Sequence, residues 1–264
     1  MEDLRPRHLS WLFAKLSGIA YEEPDAGVPL FKMMGFTAKY IVVKDSECYV
    51  LTDERDLIVV CRGTQPKEFK DIKADLQAWP KEPLYDAHGK VHFGFNKYAN
   101  RMLDKVRDEL LANTDKRIWF CGHSLGAAMA SILAIYCQVD DDLPNANGLY
   151  TYGSPKVGNA KFIAQAQFYH ERWVNNIDIV TSVPPGWMGY SHFGQLKYLN
   201  HFGNYRELTT FQHIKDRIRG LVTGLRKKKI NYFMNHSIDA YIAHLSNYAE
   251  GREVDQTAKG DSNG

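Results

Sequence analysis

Long apolar runs are missing from this 264-residue chain. None approaches the ~18 residues that a membrane-spanning helix needs, so no transmembrane segment is expected. An excess of one charge is missing too: 33 Lys and Arg against 31 Asp and Glu leave a net +2. That balance gives no bulk attraction to nucleic acid, and no nucleic-acid partner is expected. Cysteine is scarce. Cys48, Cys61, Cys121 and Cys137 make no metal-ligand spacing, and Cys61 and Cys121 sit inside apolar runs. Buried free thiols are expected rather than a disulfide framework, with no metal and no other cofactor. Repeats and low-complexity segments are also missing.

What is there suits a globular domain: 44% apolar and 24% charged residues over a length that can bury a large core. The opening "MEDLRPRHLSWLFAKLSGIAY" begins acidic and carries Lys15 within its apolar part. It reads as an amphipathic helix over roughly Leu9 to Ile19 rather than as a signal peptide. Compartment stays open: secreted if a leader was removed, otherwise cytoplasmic. One domain is expected over residues 1–249. The tail from Glu250, "EGREVDQTAKGDSNG", has little to bury and is expected to be disordered.

Strand-like runs "TAKYIVV", "CYVLT" and "DLIVVC" come next, then the helical pattern "NKYANRMLDKVRDELLA". After it alternate strand "RIWFC", helix "LGAAMASILAIYCQV", strand "GLYTYG", helix "AKFIAQAQFYH" and strand "RWVNNI". Alternation of this kind predicts an α/β fold with a mostly parallel sheet covered on both faces. The continuous runs "LIVVC" and "IWFC" fit strands buried on both sides.

At the junction of the second such strand and its helix lies "GHSLG", Gly122 to Gly126, a G-x-S-x-G pattern. A serine presented on a sharp strand-to-helix turn needs small flanking residues, because side chains there would strike neighbouring backbone. The helix start beneath it offers partial positive charge to a developing oxyanion. Ser124 is therefore the candidate nucleophile. A hydroxyl needs a base, and the base an orienting acid. Asp178, ending "RWVNNID", is the candidate acid; Asp140, Asp141 and Asp142 read as a solvated turn. Five histidines follow, His192, His201, His213, His236 and His244, and spacing alone does not choose among them.

With these residues in hand, the chain resembles the class 3 lipases, a family with an α/β-hydrolase-like fold. The blocks that carry the resemblance run in order: "CRGT" at Cys61–Thr64, "KADL" ending at Leu76, "VHFGF" at Val91–Phe95, "GHSLGA", "YGSPKVGN" at Tyr152–Asn159, "NNIDIVTSVPP" at Asn175–Pro185, "YSHFG" at Tyr190–Gly194 and "NHSIDAY". The resemblance implies Ser124 as nucleophile, Asp178 as acid and His236 as base. It implies Thr64 and Leu125 as the two oxyanion-hole residues. His192 falls on a family histidine that is not the base, and His123 fills the variable place in the pentapeptide and reads as structural. Cys61, Ile72 and Thr181 depart from the residues common in the family.

Between Thr64 and Pro80, Phe69, Ile72, Leu76 and Trp79 fall within about an 80° sector of a helical wheel. Lys67, Lys70 and Lys73 fall on another side. This segment, about residues 65–82, reads as a helical lid whose apolar face meets the site and turns out at a lipid surface. A second segment, about residues 211–230, carries Lys215, Arg217, Arg219, Arg226, Lys227, Lys228 and Lys229 against Asp216 alone. It reads as a solvated basic helix end, with transient binding to a lipid–water interface as the alternative.

The expectation is a serine carboxylester hydrolase that splits acylglycerol esters, a triacylglycerol lipase. Phospholipase A1 or feruloyl-type esterase activity is the near alternative. A catalytically inactive lipid-binding protein is the alternative from another class.

Overall fold

The structure is a computed structural model that describes residues 5–63, 79–85, 87–207, 212 and 235–254. Helix α1 (Pro6–Ile19) starts a turn earlier than its apolar periodicity, with Pro6 at the first helical position, where a missing N–H costs nothing. Helix α2 (Pro24–Met33) follows. Strands β1 (Thr37–Val43), β2 (Ser46–Thr52) and β3 (Asp56–Cys61) then form an antiparallel meander. A two-stranded ribbon of β4 (Pro80–Lys81) and β5 (Val91–His92) leads into α3 (Phe93–Leu111). Next come β6 (Arg117–His123), α4 (Leu125–Val139), β7 (Ala146–Tyr152), α5 (Ala160–Ile163) and β8 (Tyr169–Asn175). Strands β9 (Gln195–Leu199) and β10 (Tyr205–Arg206) precede α6 (Ile238–Ala249).

The sheet has eight strands in the order β1-β2-β3-β6-β7-β8-β9-β10. The run from β3 to β9 is parallel, with antiparallel strands at both edges. Every residue of β3 is buried, because alternate side chains enter two different cores. Leu57, Val59, Ile118, Phe120 and Leu149 meet α3 and α4 on one face. Ile58, Val60, Cys121, Tyr150, Tyr152 and Trp173 meet α1 and α6 on the other. Each such side chain contributes about 1.5–3 kcal/mol on burial. Helix α4 packs against β6, β7 and α3 and is buried along nearly its whole length. Its run of alanines keeps it thin enough to fit there.

Three expectations need correction. The helix expected over "AKFIAQAQFYH" stops after four residues, because Tyr169 and His170 pair with Gly148 and Leu149 as the start of β8. Asp140 is no solvated residue: its side chain is 9% exposed and takes contacts from Arg107 and the Tyr85 hydroxyl. The tail expected from Glu250 begins tied down. Asn204 exchanges two hydrogen bonds with Val254, and Arg206 pairs with Glu253; residues 255–264 lie outside the described residues.

Candidate active site

The serine corner stands where β6 ends and α4 begins. Ser124 has φ 59° and ψ −125°, a strained conformation for a residue with a side chain. Its amide donates to Tyr152 O at 3.0 Å, which ties the corner to β7. A Cβ on Gly126 would stand 2.2 Å from Cys61 O and 2.8 Å from Gly63 N; one on Gly122 would stand 2.5 Å from the backbone of Gly126. The two glycines thus admit β3 and the first turn of α4 to the same space. Leu125 opens α4, and the first amides of a helix have no partner within it. Thr64 lies outside the described residues.

Among the described residues, His236 is the one of these histidines brought to the serine. His236 Nε2 lies 2.8 Å from Ser124 Oγ, and its Nδ1 lies 2.9 and 3.0 Å from the two oxygens of Asp178. Since a carboxylate accepts, Nδ1 carries the proton and Nε2 is free to receive the serine hydrogen. His192 instead turns Nε2 to Thr181 O at 2.7 Å, and His213 lies outside the described residues.

Asp178 is fully buried, three residues past the end of β8. Its carboxylate accepts from His236, from the Tyr241 hydroxyl at 2.7 Å and from Val180 N at 3.0 Å. Burial, then the Asp178 charge, push the Tyr241 phenol well above its usual range, so it stays a donor. The Tyr241 oxygen also accepts from Asn175 N at 3.0 Å, which anchors α6 to the end of β8. The loop after Asp178 is held from beneath: Lys156 Nζ donates to Ser182 O at 2.8 Å and Pro184 O at 3.0 Å.

The supports were not all visible in the sequence. Tyr241 sits inside the "NHSIDAY" block, but nothing in the pattern says its hydroxyl reaches Asp178. Arg62, in "CRGT", is 8% exposed and binds Glu47 at 2.5 Å and Glu23 at 3.4 Å, fixing the end of β3. Tyr21 and His123 also converge here, Tyr21 with no sequence signal at all. Of the lid residues, Phe69, Ile72 and Leu76 lie outside the described residues. Trp79 is 60% exposed and meets Trp187 edge-on, centroids 5.9 Å apart. The basic segment 211–230 lies outside the described residues except at Gln212. Among the described residues no group of three His, Cys, Asp or Glu side chains is placed to hold a metal. No described helix is long and apolar enough to cross a membrane.

A parallel sheet with a strained serine at a strand-to-helix corner, reached by a histidine and a carboxylate from later loops, defines an α/β-hydrolase-like fold. Comparison with known proteins sharpens this. The profile of the class 3 lipases matches residues 58–187. Toxin TseL of Vibrio cholerae is 30% identical over 193 residues, 58% of this chain and 30% of the toxin. A lipase of Rhizomucor miehei is 30% identical over 151 residues, 54% of this chain and 41% of that protein. The crystal structure of a lipase from Rhizopus microsporus var. chinensis superposes with a TM-score of 0.62 at 24% identity, covering 73% of this chain and 74% of that one. The chain is similar to the class 3 lipases over residues 58–187 and shares the fold of the solved lipase. It spans less than half the length of these two curated relatives.

Proposed function

We propose that this protein is a serine carboxylester hydrolase acting on acylglycerols. One observation carries the reading: a single imidazole, His236, bridges a serine hydroxyl at 2.8 Å and a buried carboxylate at 2.9 Å. Ser124 attacks the ester carbonyl as His236 takes its proton through Nε2. The same nitrogen then gives that proton to the departing alkoxide. Asp178 holds the Nδ1–H tautomer and stabilises the imidazolium that forms. The amides of Thr64 and Leu125 receive the developing oxyanion, a type of contact worth about 10²–10³ in kcat per donor. Water repeats the cycle on the acyl-enzyme, with His236 again as base.

Similarity to the class 3 lipases over residues 58–187 supports an ester of a lipid as substrate. The segment about 65–82 acts as the lid; the basic segment about 211–230 is a solvated helix end, with transient binding to an anionic interface as the alternative. Incubation with an organophosphate should remove activity stoichiometrically, with the adduct mapped by mass spectrometry to the Ser124 peptide. Labelling elsewhere, or none, would overturn the reading in favour of an idle lipid-binding protein. Triolein, p-nitrophenyl esters, phosphatidylcholine and methyl ferulate assayed side by side fix the substrate class. On the interface alternative, replacing Lys227, Lys228 and Lys229 by Gln should lower activity on anionic vesicles and spare a soluble ester. An equal effect on both substrates removes the interface role.

A further inference from the structure

His236 is an unusual place to hang a base. It lies two residues before α6 and belongs to no strand, so no ladder of backbone bonds sets its position. Its carbonyl oxygen is instead gripped by a side chain: His123 Nε2 lies 2.6 Å from His236 O. A carbonyl only accepts, so Nε2 is the protonated nitrogen of His123 and Nδ1 carries a lone pair. That lone pair faces the Tyr21 hydroxyl at 2.7 Å, which must donate to it. Burial, then the neighbouring His236, push the His123 imidazole well below its usual pKa, against the pull of its bond to the His236 carbonyl. Burial, opposed by the Arg62 charge, raises the Tyr21 phenol, keeping the proton in place for that bond.

His123 is also the residue immediately before Ser124 at the end of β6. The nucleophile and the grip on the base are therefore consecutive residues on one rigid strand end. Tyr21 closes the arrangement from the other side. A Cβ on Gly63 would stand 2.1 Å from its hydroxyl, so Tyr21 is wedged against the segment that leads to Thr64.

We propose that Tyr21 and His123 form a positioning pair for the reaction assigned above: His123 sets where His236 stands relative to Ser124, and Tyr21 fixes the tautomer that lets it do so. The pair rests on the hydrolase reading for its purpose, though not for its geometry. Two consequences follow from the chemistry. Without the donor on His123, the His236 backbone drifts, and a displacement of the order of 1 Å at a reacting pair costs about 10²-fold in rate. The second concerns charge. The rings of His123 and His236 are 4.6 Å apart, so a proton on His123 would oppose the imidazolium that His236 becomes in the transition state. The Tyr21 O–H occupies the one nitrogen where that proton would go.

The test uses the whole chain with a soluble p-nitrophenyl ester, rates being divided by the serine titrated with an organophosphonate so that unfolded molecules do not count. Tyr21→Phe removes one oxygen and keeps the ring. It should lower kcat about 10-fold with KM within about two-fold, the split expected for an interaction that matters in the transition state. His123→Leu should lose about 100-fold. His123→Gln, whose amide N–H can reach the same carbonyl, should recover to within about five-fold of the unaltered protein. In parallel, ¹⁵N-labelled histidine should show His123 protonated on Nε2 alone in the unaltered protein and as a tautomer mixture in Tyr21→Phe. Tyr21→Phe and His123→Leu both within two-fold of the unaltered kcat per titrated serine would overturn the inference. So would a proton on Nδ1 of His123. If the unaltered protein neither turns over an ester nor reacts at Ser124, the hydrolase reading fails instead, and the tautomer measurement still decides the geometry of the pair.

Discussion

Asp178 answers to three donors at once, and each fixes something different. The His236 Nδ1–H fixes the imidazole, the Tyr241 hydroxyl holds α6 and Val180 N–H shapes the turn behind Asp178. Asp178→Asn keeps the size but offers an amide where a carboxylate oxygen must accept. The His236 tautomer is then no longer enforced. In the proposed reaction kcat should fall by about 10⁴, measured on a soluble ester, while circular dichroism at 25 °C stays unchanged. Gly126→Ala probes a different constraint. Its methyl would stand 2.2 Å from Cys61 O, and backbone atoms cannot rotate away. A loss of about 1–3 kcal/mol in urea unfolding is expected, as for other overpacked sites. Gly186→Ala, with nothing within 4 Å of the added methyl, should be neutral. At this scale Ser124 and its glycines were legible because their chemistry is local. Asp178 was legible because a strand end is a local feature too. His236 was not separable from four other histidines until the family resemblance chose it. Tyr21 was not legible at all, since its role depends on a contact with a residue 102 positions away.

Among the elements, the parallel pair β3 and β6 carries the site at one end and a different polar cluster at the other. There Asp56, fully buried, accepts two bonds of 2.8 Å from Arg117 and one of 2.8 Å from Trp119 Nε1. Asp56 and Arg117 are register partners, so the cluster fixes how the two strands align and with them the spacing of Cys61 from Gly122. Asp56→Ala leaves the Trp119 N–H without its acceptor, while Arg117, 35% exposed, turns to water. The expected cost is about 2–3 kcal/mol of stability, seen as a lower urea midpoint. The rate per titrated serine should be unchanged well below the transition, because the cluster is at the far end of both strands. Continuous apolar runs made β3 and β6 readable in advance. Helix α2 was not readable. Pro29 and Gly27 argue against a helix, yet α2 forms because Gly27 admits the Tyr49 hydroxyl, 2.8 Å from where a Cβ would stand. Strands β9 and β10 escaped notice for a related reason: they complete an edge through pairing with β8, and their own pattern is mixed.

For the molecule as a whole, the mostly parallel sheet and its two helical layers were readable from the alternation of elements, because each layer leaves its own periodicity in the chain. The proton balance of the folded state was not readable, because it depends on which histidines are buried. Among the described residues three are held neutral: His123 and His170 are pushed well below the usual range by burial, with nearby His236 adding to it for one and Arg172 for the other. His192 is lowered to about 3 by burial and then by Arg172. In the unfolded chain all three take up protons near pH 6.5. Below that pH the unfolded state therefore binds more protons than the folded one, and folding stability falls as pH falls. Each histidine contributes a slope of up to about 1.4 kcal/mol per pH unit until its folded pKa is reached. Asp140 and Glu253, whose carboxyls are lowered, act with the same sign but only near and below pH 4. Urea midpoints measured at pH 7.5, 6.5, 5.5 and 4.5 should therefore be flat over the first step and then fall steadily over the next two. His192→Gln, which keeps an N–H for Thr181 O and does not titrate, should make that fall shallower by about a third. A midpoint that holds level down to pH 4.5 would mean that these imidazoles are reached by water and charge freely within the folded protein.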